Sequence, residues 1–161
     1  MVLGIDPGKD GALVLLDGTS VLRVVLTSSL LVGKDYAPDT MAAAVRELVG
    51  IMAPRELSVV LEQPGVRPGE GRGGGLTTGK GWGIWRGIVA TLGLPCITPA
   101  ASAWTRTILR DAPGEGKDRA IHVALSRLPG INLTPGRRVK PHSGIADAAC
   151  LALYGQTKGL K

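Results

Sequence analysis

Phenylalanine is absent from the 161 residues, and aromatic side chains make up only 3% of them. A core built here must therefore come from Val, Leu, Ile and Ala. Cysteine is nearly absent too: Cys96 and Cys150 are the only two. That excludes a disulfide-stapled scaffold and any cysteine-based zinc finger, and it fits buried thiols in a reducing cytoplasm. The two histidines, His122 and His142, are too scattered relative to the cysteines to complete a zinc site. No apolar run is long enough to span a bilayer, and no membrane association is expected. No basic segment precedes the first apolar run, so no signal peptide is expected.

What is plentiful is glycine, with 24 residues, and positive charge, with a formal net charge of +6. The charge is unevenly spread. Up to Glu62 there are 5 Lys and Arg against 8 Asp and Glu; from Gln63 onward there are 14 against 5. A basic surface beside an acidic pocket suits a polyanion, most often a nucleic acid. Hydrophobic residues at 44% are enough to bury one core, and the length suits one domain over 1–161.

The acidic part opens on Val2-Leu3-Gly4-Ile5, a short strand that Asp6 ends and Pro7-Gly8 stops. An acid at the lip of a buried strand costs free energy unless it is paired. Ala12 to Leu16 and Val21 to Leu26 read as two more strands, joined by the hairpin turn Asp17-Gly18, so the three form an antiparallel meander. Asp39 or Thr40 caps a helix that Gly50 closes. Leu57 to Leu61 is a further buried strand, and it too ends in an acid, Glu62.

A Pro-, Gly- and Arg-rich stretch at about 64–81 is expected to be a mobile loop. Helices are expected over Gly83–Leu92, Ser102–Arg110, Lys117–Leu128 and from Ser143 or Gly144 to Tyr154, with a short strand at Pro95–Thr98. The order is that of a mixed sheet with helices on its faces. Asp147 sits in the last helix among small residues, Gly144-Ile145-Ala146-Asp147-Ala148-Ala149, so another backbone can approach it closely.

Three hard oxygen ligands on separate elements are what Mg²⁺ or Mn²⁺ takes. Each acid also has a plain alternative: Asp6 as a turn cap, Glu62 as an ion-pair partner, Asp147 as a helix N-terminal acid. Two separate apolar strands that both end in an acid favour the joint site. His142, just before the last helix, is either a ligand or general base beside Asp147 or a surface residue of a basic loop. Gly74 to Lys80 imitates a phosphate-binding loop, but Gly81 stands where Ser or Thr is needed and no strand leads into it, so no nucleotide cofactor is expected. Basic residues with interleaved tryptophans suit a nucleic-acid surface: Arg72, Lys80, Arg86, Arg119, Arg137, Arg138 and Lys140, with Trp82 and Trp104. Trp85 falls on the apolar face of its helix and reads as core.

Gly4-Ile5-Asp6-Pro7-Gly8, Glu62-Gln63-Pro64, Gly81-Trp82-Gly83-Ile84-Trp85-Arg86-Gly87, Gly116-Lys117-Asp118-Arg119 and Lys140 to Ala148 together resemble the RuvC-type Holliday junction resolvases. The resemblance is closest to the plant chloroplast resolvase and its phage and bacterial relatives, and it covers nearly the whole chain in order. It implies an RNase H-like α/β fold with a mixed five-stranded sheet, a homodimer, and Mg²⁺- or Mn²⁺-dependent cleavage of four-way DNA junctions with two ions per site. It maps metal ligands onto Asp6, Glu62 and Asp147, places Lys117 near the scissile phosphate, and leaves His142 or Ser143 to complete the shell. Two alternatives stand beside it: another RNase H-like nuclease acting on hybrids or flaps, and a catalytically silent junction-binding protein.

Overall fold

The computed structural model describes residues 1–50, 57–65 and 72–160, with the Arg72 side chain left out. Its centre is a five-stranded sheet. Strand β1 (Val2–Ile5) pairs antiparallel with β2 (Ala12–Asp17), and β2 with β3 (Ser20–Leu26), which is the expected meander. On its other side β1 pairs parallel with β6 (Ser58–Leu61), and β6 with β7 (Cys96–Ile97), giving the order β3-β2-β1-β6-β7. The sheet is thus mixed and five-stranded.

Strand alternation sorts the apolar residues onto two faces. Leu3, Ile5, Leu13, Leu15, Val59 and Leu61 pack against helices α1 (Pro38–Gly50) and α2 (Arg72–Thr91), including Met41, Val45, Leu48, Trp85 and Val89. Val2, Ala12, Val14, Leu16 and Val60 face the second layer. That layer holds α3 (Ala101–Ile108), α4 (Lys117–Arg127) and α5 (Ser143–Thr157). Helix α1 starts at Pro38, slightly ahead of the expected cap, because proline's fixed φ suits the first helical position.

Helix α5 is buried on nearly every side. Its small residues let it lie directly on β1. A Cβ at Gly4 would come within 2.0 Å of the Ala148 carbonyl oxygen and 2.7 Å of the Ala152 nitrogen. Gly144 lies equally close to Asp10 and Gly11. Gly155 lies against Val2 and Val60. Helix α5 therefore runs antiparallel to β1, with its N-terminus at the strand's C-terminal end.

Two stretches depart from expectation. The loop expected over 64–81 is helical from Arg72 onward, in one 20-residue helix with the tryptophan segment; residues 66–71 lie outside the described part. Glycine costs about 1 kcal/mol against alanine in a helix, which is why composition argued for a loop. The helix is anchored further along, where Trp85 and Val89 are buried. Its first turns, from Gly73 to Leu76, remain exposed. The second departure is a 3₁₀ turn at Thr27–Leu30 followed by a small hairpin, β4 (Leu31–Val32) and β5 (Asp35–Tyr36), where no element was expected. Gly33 supplies the positive φ of its turn.

Candidate metal and nucleic-acid site

Ile5 lies opposite Leu61 in the parallel ladder, and the Glu62 N–H donates to the Ile5 carbonyl at 3.2 Å. Asp6 and Glu62 therefore leave the sheet side by side, on strands about 4.8 Å apart. They follow Gly4 and Val60 by two residues, which by alternation is the face that α5 covers. Asp147 comes one residue before Ala148, whose carbonyl rests on Gly4. All three acids are half-buried beside fully buried neighbours. The fold thus brings three separate elements, each carrying an acid, to one end of β1.

The side chains do not form a closed cage. Among the described residues, no group of three or more His, Cys, Asp or Glu is gathered to hold a metal ion. The donor chemistry still fits Mg²⁺. That ion is usually held by one or two carboxylates plus waters and substrate phosphate oxygens, and seldom by an all-protein cage.

His142 is not a surface residue. It is only 5% exposed, occupies the N-cap position of α5, and donates its backbone N–H to the Leu133 carbonyl at 2.7 Å. Its Nδ1 is buried without a hydrogen-bond partner. Burial, with the charges of Arg138 and Lys117, lowers its pKa below the ordinary value, against the opposing pull of Asp10. The shift favours the neutral imidazole, which keeps a lone pair on one ring nitrogen. The carboxylate that acts on it is that of Asp10, which lies in the turn after Pro7-Gly8 and was not among the expected site residues. Ser143 is half-buried as the first residue of α5. Lys117 opens α4, is exposed, and lies within electrostatic reach of His142.

The expected DNA contacts divide. Arg137, Arg138 and Lys140 are exposed in the loop leading to α5, and Arg138 acts on His142. Lys80 is exposed on α2, with its ammonium 2.7 and 2.8 Å from the two Asp35 oxygens. Arg86 is half-buried and its charge acts on Cys96. Three assignments need correction or qualification. Trp104 is 3% exposed in the core under α5, because it falls on the inward stripe of α3 with Ile108. Trp82 is half-buried against the α1–α2 core, and its indole N–H is buried. Arg119 donates to the carbonyls of Leu109 and Arg110, tying α4 to the end of α3. The Arg72 side chain lies outside the described residues.

No family model matches the chain, and no curated protein does either. Solved structures do. A Thermus thermophilus RuvC in complex with a Holliday junction substrate superposes with a TM-score of 0.66 at 19% identity, covering 98% of this chain and 93% of that one. A second T. thermophilus RuvC structure gives 0.61 at 18% identity, with 98% and 96% covered. The chain has the RuvC fold.

That fold is RNase H-like, a mixed five-stranded sheet flanked by helices. In this chain's version of the RuvC fold, the C-terminal ends of β1 and β6 and the N-terminal part of α5 converge. The three acids lie toward one end of the sheet, and His142 is buried at the start of α5, within electrostatic reach of Asp10, Lys117 and Arg138. Among the described residues no helix is long and apolar enough to cross a membrane.

Proposed function

We propose that the protein is a structure-selective endonuclease that resolves four-way DNA junctions, acting as a homodimer in a reducing cytoplasm. The observation that carries the reading is the register of β1 and β6, which sets Asp6 beside Glu62 while Gly4 admits the helix bearing Asp147. The likeness to a RuvC seen with a Holliday junction supports the substrate class.

Asp6, Glu62 and Asp147 would hold Mg²⁺ or Mn²⁺, two ions per site. Such ions, when bound, polarise the scissile phosphate and lower the pKa of an attacking water. The His142 imidazole would serve as the general base for an attacking water. Lys117 offsets charge that develops on the phosphate oxygens. Lys80, Arg86, Arg137, Arg138 and Lys140 neutralise the backbone on either side, so binding falls steeply with salt. In-line displacement leaves 5′ phosphates, and a twofold dimer allows paired nicks on a roughly twofold junction.

One observation favours a second reading, a silent junction-binding protein: Ser143, half-buried as the first residue of α5, brings no carboxylate to the site. Synthetic four-way junction, linear duplex and RNA–DNA hybrid, each incubated with and without Mg²⁺, separate the readings. Paired nicks confined to the junction are expected. Binding without cleavage in Mg²⁺ supports the silent protein, and cutting of the hybrid alone sinks the resolvase. Asp6→Asn should cut the rate by on the order of a thousandfold and leave junction binding within twofold.

A further inference from the structure

We propose that Tyr36 is a positioning residue for the Asp6 carboxylate and links that carboxylate to α2. The inference rests on the reading of Asp6 as a metal ligand.

Tyr36 ends the small hairpin, and its ring is buried in the α1–α2 core. Its hydroxyl donates to the carbonyl of Pro7, the residue after Asp6, at 3.3 Å. Asp6 is bound into the same turn: its Oδ1 accepts the Gly8 N–H at 3.2 Å, and its own N–H donates to the Ala12 carbonyl at 3.0 Å. The phenol therefore braces the short peptide on which the Asp6 carboxylate is hung.

Helix α2 leans on the same brace. A Cβ at Gly81 would lie 2.4 Å from the Tyr36 hydroxyl oxygen, 2.5 Å from its Cζ and 3.0 Å from the Pro7 carbonyl oxygen. One residue earlier, Lys80 holds the Asp35 carboxylate, and that carboxylate also accepts the Tyr36 N–H at 2.9 Å. A continuous set of contacts runs from Lys80 through Asp35, Tyr36 and Pro7 to Asp6. Burial of the phenol, with the charges of Asp6, Asp10 and Asp35, raises its pKa, so the hydroxyl keeps the proton it donates.

A ligating carboxylate works only when held to within about 0.5 Å, and loss of such a support typically costs 10–100-fold in metal affinity or activity. Tyr36→Phe keeps the ring against Gly81 and removes the donor. Mn²⁺ binding to the DNA-free full-length protein, followed by electron paramagnetic resonance of the free ion, should weaken by about tenfold. Junction affinity without metal should stay within twofold, and single-turnover cleavage should recover at high Mn²⁺. Gly81→Ala should weaken Mn²⁺ in the same direction by pushing the phenol off Pro7. Gly79→Ala, with open space around it, should not. Unchanged Mn²⁺ affinity in both Tyr36→Phe and Gly81→Ala overturns the inference, as does a parent protein that binds no Mn²⁺. If the parent cuts junctions while both variants bind Mn²⁺ normally, the resolvase reading stands and this one falls. If the parent cuts nothing yet Tyr36→Phe weakens Mn²⁺, the positioning role stands and the resolvase reading falls.

Discussion

Helices α2 and α5 are both rich in residues with little or no side chain, and they use that poverty in opposite ways. In α5 and its partner strand, small residues remove obstacles, so that two backbones touch at Gly4 and Ala148. In the first half of α2, around Gly73, Gly75 and Gly79, nothing lies within reach of an added Cβ. There glycine only weakens the helix. Leu76 in the same turns is 75% exposed. The same composition thus marks a direct backbone-to-backbone contact in one helix and an exposed, weakly supported turn in the other.

Substitutions at the two places should pull in opposite directions. The largest effect of a single substitution at neutral pH is expected for Gly4→Ala. Its methyl has no room against the Ala148 carbonyl, so the helix must lift from the sheet. A loss of at least about 3 kcal/mol in urea unfolding is expected. A loss below about 1 kcal/mol would mean that α5 is not seated on β1 as described.

The next effect tests the burial of α5 through Cys150. Its thiol pKa is pushed up from 9.0 to about 12, first by burial and then by the nearby Asp147 carboxylate. Above pH 9 the unfolded thiol ionises and the folded one does not. This contribution is complete below pH 9 and is lost as pH rises toward 12, on the order of 4 kcal/mol in all. Thermal melts from pH 8 to 11 should fall, and Cys150→Ala should flatten that limb.

A smaller change is expected at the other end of the scale. The His142 pKa is lowered from 6.5 by burial and cationic neighbours. As pH falls through 6.5 the unfolded chain takes up the proton first, so stability falls below that point. His142→Asn should remove this acid-side slope, measured by melts between pH 7 and 5. Smallest is Gly79→Ala in α2, which should stabilise by about 0.5–1 kcal/mol in the same urea measurement, because it adds helix propensity and meets nothing.

The strand ends at Asp6 and Glu62 were legible because each closes a short apolar run, and the parallel pairing of β1 with β6 supplies their adjacency. The close approach at α5 was legible from its alanines, although its partner, Gly4, was not. Composition misled over 72–81, since seven glycines between Gly73 and Gly87 outweigh any local helix signal. Trp85 and Val89 anchor that helix, and the partners of this stretch are distant in sequence: Tyr36 against Gly81 and Asp35 with Lys80. Tyr36 and Asp10 were missed for the same reason: Tyr36 meets Pro7 across 29 positions, and the charge of Asp10 acts on His142 across a much longer stretch. Trp104 was placed on the wrong side because an interleaved tryptophan and a core tryptophan share one spacing.

The antiparallel seating of α5 on β1 also fixes the direction of a field. The peptide dipoles of its 15 residues add to roughly half a positive charge at the N-terminus, and that end lies beside Gly11, at the acid-bearing edge of the sheet. Repulsion among the carboxylates is thereby partly offset by the backbone itself. The same half-charge favours a phosphate approaching that edge over an approach to the opposite one. The polarity of a single helix thus makes the two ends of the sheet electrically unlike.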